Sequence, residues 1–94
     1  MSVDATLQER GSRYGTIEGN ASTTQAMMDV VAQSPRAGEL TDVHMECLHM
    51  IFHKIARMVN GDPWYADNAH DIAGYAKLLE DYLTKESERI DAGS

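Results

Sequence analysis

The sequence predicts an all-α protein folded as one domain of 94 residues, and three observations carry that prediction. Apolar residues recur at spacings of three and four, the period of one helix face. No long alternating run of β-branched residues and no hairpin signal occurs. Pro35 and Pro63 fall between the periodic stretches and divide them into separate helices.

Residues 1–12 are polar, and Arg10-Gly11-Ser12 breaks any early helix, so a flexible N-terminal arm or a short helix near 4–9 is expected there. From Thr16 to Gln33, Ile17, Ala21, Thr24, Met28 and Val31 fall on one side of a helix whose first turn Gly19 weakens. Ser34-Pro35 stops it, and 35–40 form a connector.

Thr41 is a good N-cap, and Asp42 puts negative charge at the positive end of the helix dipole. A helix over 42–59 then carries Cys47, Leu48, Ile51, Phe52, Ile55, Met58 and Val59 in one stripe. Asn60-Gly61 predicts a left-handed stop, and Asp62-Pro63 an N-cap with proline at the first helical position. The third helix, over 63–86, places Ile72, Tyr75, Ala76, Leu79, Tyr82 and Leu83 inward. Gly74, on the opposite side, leaves room for another helix or subunit. Residues 13–86 thus form the all-α domain, and 87–94 a flexible tail. So short a turn after residue 59 makes the last two helices an antiparallel hairpin, covered by the 16–33 helix. A chain this small buries a modest share of its surface, so the bundle is expected to be completed by a homodimer or higher homo-oligomer.

Composition narrows the function. A formal charge of −7 excludes a nucleic-acid polymer as the expected partner, since such binding needs clustered Lys and Arg. A small nucleotide remains open, needing only one or two local cations or a carboxylate-held metal. The single cysteine, Cys47, has no internal partner and reads as a buried, inert thiol. No apolar run approaches membrane-spanning length and the start lacks a signal-peptide pattern, so a cytoplasmic, non-membrane protein is expected.

Polar residues within the stripes mark the candidate site. His44 lies in the middle of the 42–59 stripe and Lys54 at its edge. Asn68 lies within the next helix's stripe, with Asp71 and Tyr75 along its edge. An unpaired buried charge is costly, so Lys54 and Asp71 should pair with each other or with a ligand; a purely structural ion pair is the plainer reading. Arg10, Arg13 and Tyr14 in "RGSRYG" offer guanidiniums and a stackable ring before a helix N-terminus, suited to phosphate and base, with Arg57 able to join them; an exposed linker is the alternative. Asp42, Glu46, His49 and His53 share a second stripe that could ligate a metal or could merely face solvent. Glu46 and Asp71 are the candidate Mg²⁺ ligands, although Glu46 points away from its own apolar stripe and would need a second copy to meet Asp71. No nucleophile motif, P-loop or dinucleotide-binding glycine pattern is present.

With "RYG", "TTQAM", "HKIARMVNGDP" and "DNAHDIAGYAKLLED" assigned, the chain from about Arg10 to Leu83 resembles a family of short uncharacterised proteins of bacteriophages and prophages. At longer range it is similar to the all-α nucleoside triphosphate pyrophosphohydrolases of the MazG type. The resemblance implies helical hairpins that dimerise into four-helix cores around a Mg²⁺-dependent nucleotide site. Asp71 would take the place of the last metal-binding aspartate and Glu46 that of one glutamate, while Asn68 departs from the family's acidic pair.

The expected function is therefore a phage accessory protein, in the host cytoplasm, that binds a nucleotide or nucleotide-derived small molecule through Arg13, Tyr14, Lys54, Arg57, Asp71 and Tyr75. Catalysis is optional in that reading. The alternatives are an interaction module that inhibits or redirects a host protein and a Mg²⁺-dependent pyrophosphohydrolase.

Overall fold

The computed structural model describes residues 13–93. Three helices account for most of them: α1 over Ile17–Ala32, α2 over Asp42–Asn60 and α3 over Ala66–Ala92, with a 3-10 turn at Ala37–Glu39 between the first two. No strand occurs among the described residues, so the all-α expectation holds. No helix among them is long and apolar enough to cross a membrane. The arm expected over 1–12 lies outside the described residues.

Local chemistry sets most boundaries. Thr16 is extended, and its hydroxyl accepts from the Gly19 amide at 3.0 Å, which offsets the glycine in the first turn of α1. Thr41 opens α2 through a capping box with His44: the Thr41 hydroxyl accepts from the His44 amide at 3.4 Å, while His44 Nδ1 accepts from the Thr41 amide at 3.1 Å. That explains a histidine in an apolar stripe. Its ring also meets Tyr82 edge-on, with centroids 6.2 Å apart, and the Tyr82 hydroxyl lies 3.2 Å from Thr41 Oγ1.

Two boundaries differ from expectation. Gly61 has φ −117° and ψ −131°, so α2 ends without a left-handed residue. Its glycine serves a close approach described below. The third helix begins at Ala66 rather than at Pro63. Asp62 caps a tight turn instead, its carboxylate accepting from the Trp64 amide at 2.9 Å and its carbonyl from the Tyr65 amide at 3.2 Å. The far end of α3 also runs past the expected 86 to Ala92. An Arg89–Glu86 pair at 2.7 Å supports those turns, and the Gly93 amide closes the last one on Arg89 and Ile90.

Both helix pairs are antiparallel. As α2 advances, its partners on α3 step backwards: Thr41 and His44 meet Tyr82, and Lys54 meets Asp71. Asn60, at the end of α2, meets Gly19, Asn20 and Thr23 near the start of α1. α2 is the central helix, packed against both others.

The interior is thin and unexpectedly polar. Among the described residues, the buried apolar side chains are Cys47 and Ala56, both on α2. Asn20 and Thr24 of α1 and Asn68 of α3 are buried with them. Ile17, read as an inward residue, is exposed, as is Leu83 to a lesser degree. α1 therefore turns its amide and hydroxyl side chains to α2 instead of its first isoleucine. A Cβ on Gly74 would meet nothing within 4 Å among the described residues.

Candidate functional site

The site forms where the segment before α1 crosses the α2–α3 turn. The Asp62 amide donates to the Arg13 carbonyl at 2.8 Å, tying "RYG" to "NGDP". Gly61 permits this contact, because a Cβ there would overlap the Arg13 carbonyl. Gly15 permits the next step: its φ is +80°, and a Cβ would lie 2.9 Å from Asn60 Cβ. Buried Asn20 fastens the crossing, donating to the Tyr14 carbonyl at 2.6 Å and accepting from Asn60 Nδ2 at 3.3 Å.

That crossing lays an alternating chain of cations and rings over the end of the hairpin. The Arg57 guanidinium sits 4.6 Å from the Tyr14 ring centroid. Tyr14 meets Tyr65 edge-to-face at 5.7 Å, and the Arg13 guanidinium lies 5.0 Å from the Tyr65 ring. Tyr65, at the head of α3, was not among the residues singled out from sequence. Its only signal is position, as an aromatic two residues after the proline of the turn.

One turn back along α2, the Lys54 ammonium bonds the Asp71 carboxylate at 3.0 Å. The Lys54 side chain is 12 % exposed and that of Asp71 is 42 % exposed, so the pair spans the boundary between interior and solvent. On its outer side Asp71 and Tyr75, with His70, Gly74 and Leu78, line an open cleft of about 490 Å³. The sequence-predicted residues thus occupy two neighbouring groups, Arg13–Tyr14–Arg57 and Lys54–Asp71–Tyr75.

Titration behaviour links the two. The hydrogen bond from Lys54, and then its charge, hold the Asp71 carboxyl below the usual aspartate range, with smaller contributions from His70 and Arg57. His53 is pushed down from the ordinary imidazole value, first by desolvation and then by Arg57, Lys54 and His49. The Tyr65 phenol is raised by hydrogen bonding with Tyr14 and then with Asp67, against a smaller lowering by Arg13. The Arg57 charge thus acts both on His53 of α2 and on Asp71 of α3.

The expected metal ligands do not form a cluster within one chain. Among the described residues, no three His, Cys, Asp or Glu side chains come together to hold an ion. Glu46 is exposed on α2, and the Asp71 carboxylate is engaged by Lys54. Asn68 is the more telling neighbour. It is 1 % exposed, and its side-chain amide nitrogen has no hydrogen-bond partner among the described residues; Thr24 Oγ1 shares that condition.

No curated protein and no solved structure matches the chain. A family model described as a domain of unknown function, DUF6378, matches residues 2–83. That span contains the whole crossing, both groups of candidate residues and all of the α2–α3 hairpin up to Leu83, and the chain belongs to the DUF6378 family.

Proposed function

We propose that the protein binds a small anionic ligand carrying an aromatic ring, a nucleotide or nucleotide-derived compound, at the corner where "RYG" crosses the hairpin. The observation that carries this reading is the gathering of Arg13 and Arg57 against Tyr65 and Tyr14, with the Lys54–Asp71 pair one turn back along α2, in a chain of net charge −7. Elsewhere Arg36, Lys77 and Arg89 are engaged by acids three or four residues away on the surface. At this corner the Arg57 guanidinium lies against the Tyr14 ring, an arrangement in which its edge can meet phosphate oxygens while the ring system receives a base. Asp71 holds Lys54 one turn back along α2, and Tyr75 walls the adjoining cleft.

The likeness of "HKIARMVNGDP" and "DNAHDIAGYAKLLED" to phage proteins and to nucleotide pyrophosphohydrolases points the same way, toward a phage accessory protein. In its catalytic form the reading needs Mg²⁺ brought with the phosphates and held by Asp71, with Glu46 supplied by a second copy. Binding is the simpler claim. Titration calorimetry with ATP, dTTP and AMP, with and without Mg²⁺, tests it: heat of binding that disappears in Arg57→Ala and Tyr14→Leu supports the reading. No binding by the unmodified protein overturns it, and Mg²⁺-dependent release of pyrophosphate would extend it to catalysis.

A second reading rests on Trp64, which is 90 % exposed in the turn beside this corner. Trp, Tyr and Arg are the residue types that dominate protein interfaces, so the same corner suits docking onto a host protein. Capture of one stoichiometric partner, lost in Trp64→Ala while nucleotide binding persists, would favour it.

A further inference from the structure

Asn68 stands where the packing of α3 calls for an apolar side chain. It opens the spacing that carries Ile72, Tyr75 and Leu79 along the same side of the helix. Only 1 % of it is exposed, and its side-chain amide nitrogen has no hydrogen-bond partner among the described residues. The carboxamides of the neighbouring crossing are treated differently. Asn20 donates to the Tyr14 carbonyl at 2.6 Å, and Asn60 donates to Gly19, Asn20 and Thr23. A buried donor left unmade lowers stability, and an interior whose apolar members among the described residues are Cys47 and Ala56 has little to offset it. A leucine would fill the position without that penalty, so the amide is better explained by a partner from outside the chain.

Helix register places that amide between the two groups of candidate residues. Lys54 and Asp71 face each other at 3.0 Å. One turn closer to the crossing lies Arg57 on α2 and, because the two helices are antiparallel, Asn68 on α3 at the same level. Arg57 lies against the Tyr14 ring, and the backbone amide of Asn68 donates to the Tyr65 carbonyl at 3.3 Å. Asn68 thus sits at the junction of the aromatic corner and the Lys54–Asp71 pair.

Chemistry selects the atom it meets. An amide N–H needs an acceptor. A phosphate brings charge that is costly to desolvate at so buried a position, and the Lys54 ammonium is already bonded to Asp71. A neutral carbonyl oxygen makes the missing bond without that cost. Thymine and uracil carry carbonyls on the base edge, whereas adenine carries none.

We infer that Asn68 is the specificity-determining contact of the corner, its buried amide donating to a carbonyl oxygen of the base and so favouring a thymine or uracil nucleotide over an adenine one. That preference rests on the nucleotide-binding reading above and adds the base that is taken. In the free chain the amide is closed over, and the base reaches it by displacing a side chain that covers it.

Titration calorimetry tests this with dTTP, with ATP and with the dTTP analogue whose base is difluorotoluene, which keeps the shape of thymine and lacks its carbonyls. The unmodified protein should bind dTTP about tenfold more tightly than the analogue, the effect of one lost hydrogen bond, and more tightly than ATP. Asn68→Leu should bind dTTP and the analogue alike, with helical circular dichroism retained. A residue that only shaped the fold would weaken both together and leave their ratio unchanged. Equal affinity of the unmodified protein for dTTP and the analogue, as when an ordered water alone satisfies the amide, overturns the role of Asn68 while leaving nucleotide binding in place. Equal affinity for dTTP and ATP, or discrimination that survives in Asn68→Leu, does the same. Binding of none of these probes overturns both readings together. Should Asn68→Leu fail to fold, the analogue comparison on the unmodified protein decides alone.

Discussion

The Lys54–Asp71 pair and its neighbours give the corner a pH signature whose sign can be worked out. His53 has a folded pKa below its ordinary value of 6.5, so the unfolded chain takes up that proton first. Its contribution to stability is fully present above that value and is lost as pH falls through the depressed one. Asp71, also held low, contributes above the ordinary carboxylate value and loses its contribution at more acidic pH, as the folded pKa is passed. The thermal midpoint should therefore fall in two steps on acidification. His53→Gln should abolish the upper step and Asp71→Asn the lower. At neutral pH, Asp71→Ala should lower the midpoint more than Lys54→Met, because it strands a largely buried ammonium, whereas removing the lysine leaves a carboxylate that water can reach. Asn68 should behave in the opposite way. Its buried amide nitrogen is unpaired among the described residues, so Asn68→Leu should raise the urea midpoint at unchanged slope, a gain in stability of about 1 kcal/mol. A loss of stability would show that the amide has a partner that matters.

At the scale of elements, two devices hold the three helices in register, and both tie a loop to a helix end. Thr41 caps α2 and also lies against Tyr82 of α3, so Thr41→Ala should cost about 1 kcal/mol for the cap and expose the Tyr82 ring, readable as a change in tyrosine fluorescence. The crossing of residues 13–16 over the turn depends on Gly15 and Gly61. Gly15→Ala forces a left-handed alanine, at about 1–2 kcal/mol, and also drives its Cβ against Asn60. Gly61→Ala meets the Arg13 carbonyl. Either variant should release Tyr14 from Arg57 and so abolish ligand binding at the corner, while α2 and α3 keep their helical signal.

For the whole molecule, the thin interior sets the terms. Cys47 and Ala56 are the buried apolar residues among those described, and neither supplies much transfer free energy. Stability that depends on a second copy rises with protein concentration. The homo-oligomer expected from the sequence is tested this way: a melting temperature that rises with protein concentration supports it, and one independent of concentration overturns it.

Much of the fold was legible because it rests on local chemistry. The period of the α2 stripe, the Thr41 cap, the Ser34-Pro35 stop and the proximity of Lys54 to Asp71 all follow from spacing along a helix and from one short turn. Where the sequence misled, several local signals competed. Asn60-Gly61 reads as a left-handed stop, and Pro63 reads as a helix start, but Gly61 is needed to admit the Arg13 carbonyl and Asp62 is spent on the turn to Trp64. Ile17 reads as core by its period, yet it is exposed, while Thr24 of the same stripe is buried as expected and Asn20 takes the other inner position, since Asn20 must reach the Tyr14 carbonyl and Asn60. By itself the sequence determined the helices and the antiparallel hairpin, because hydrophobic period and capping act within a few residues. Only the tertiary structure decided that "RYG" lies on "NGDP" and that Tyr65 joins Tyr14, Arg13 and Arg57. Those contacts join residues about fifty apart, and no periodicity along the chain encodes which loop will cross which turn.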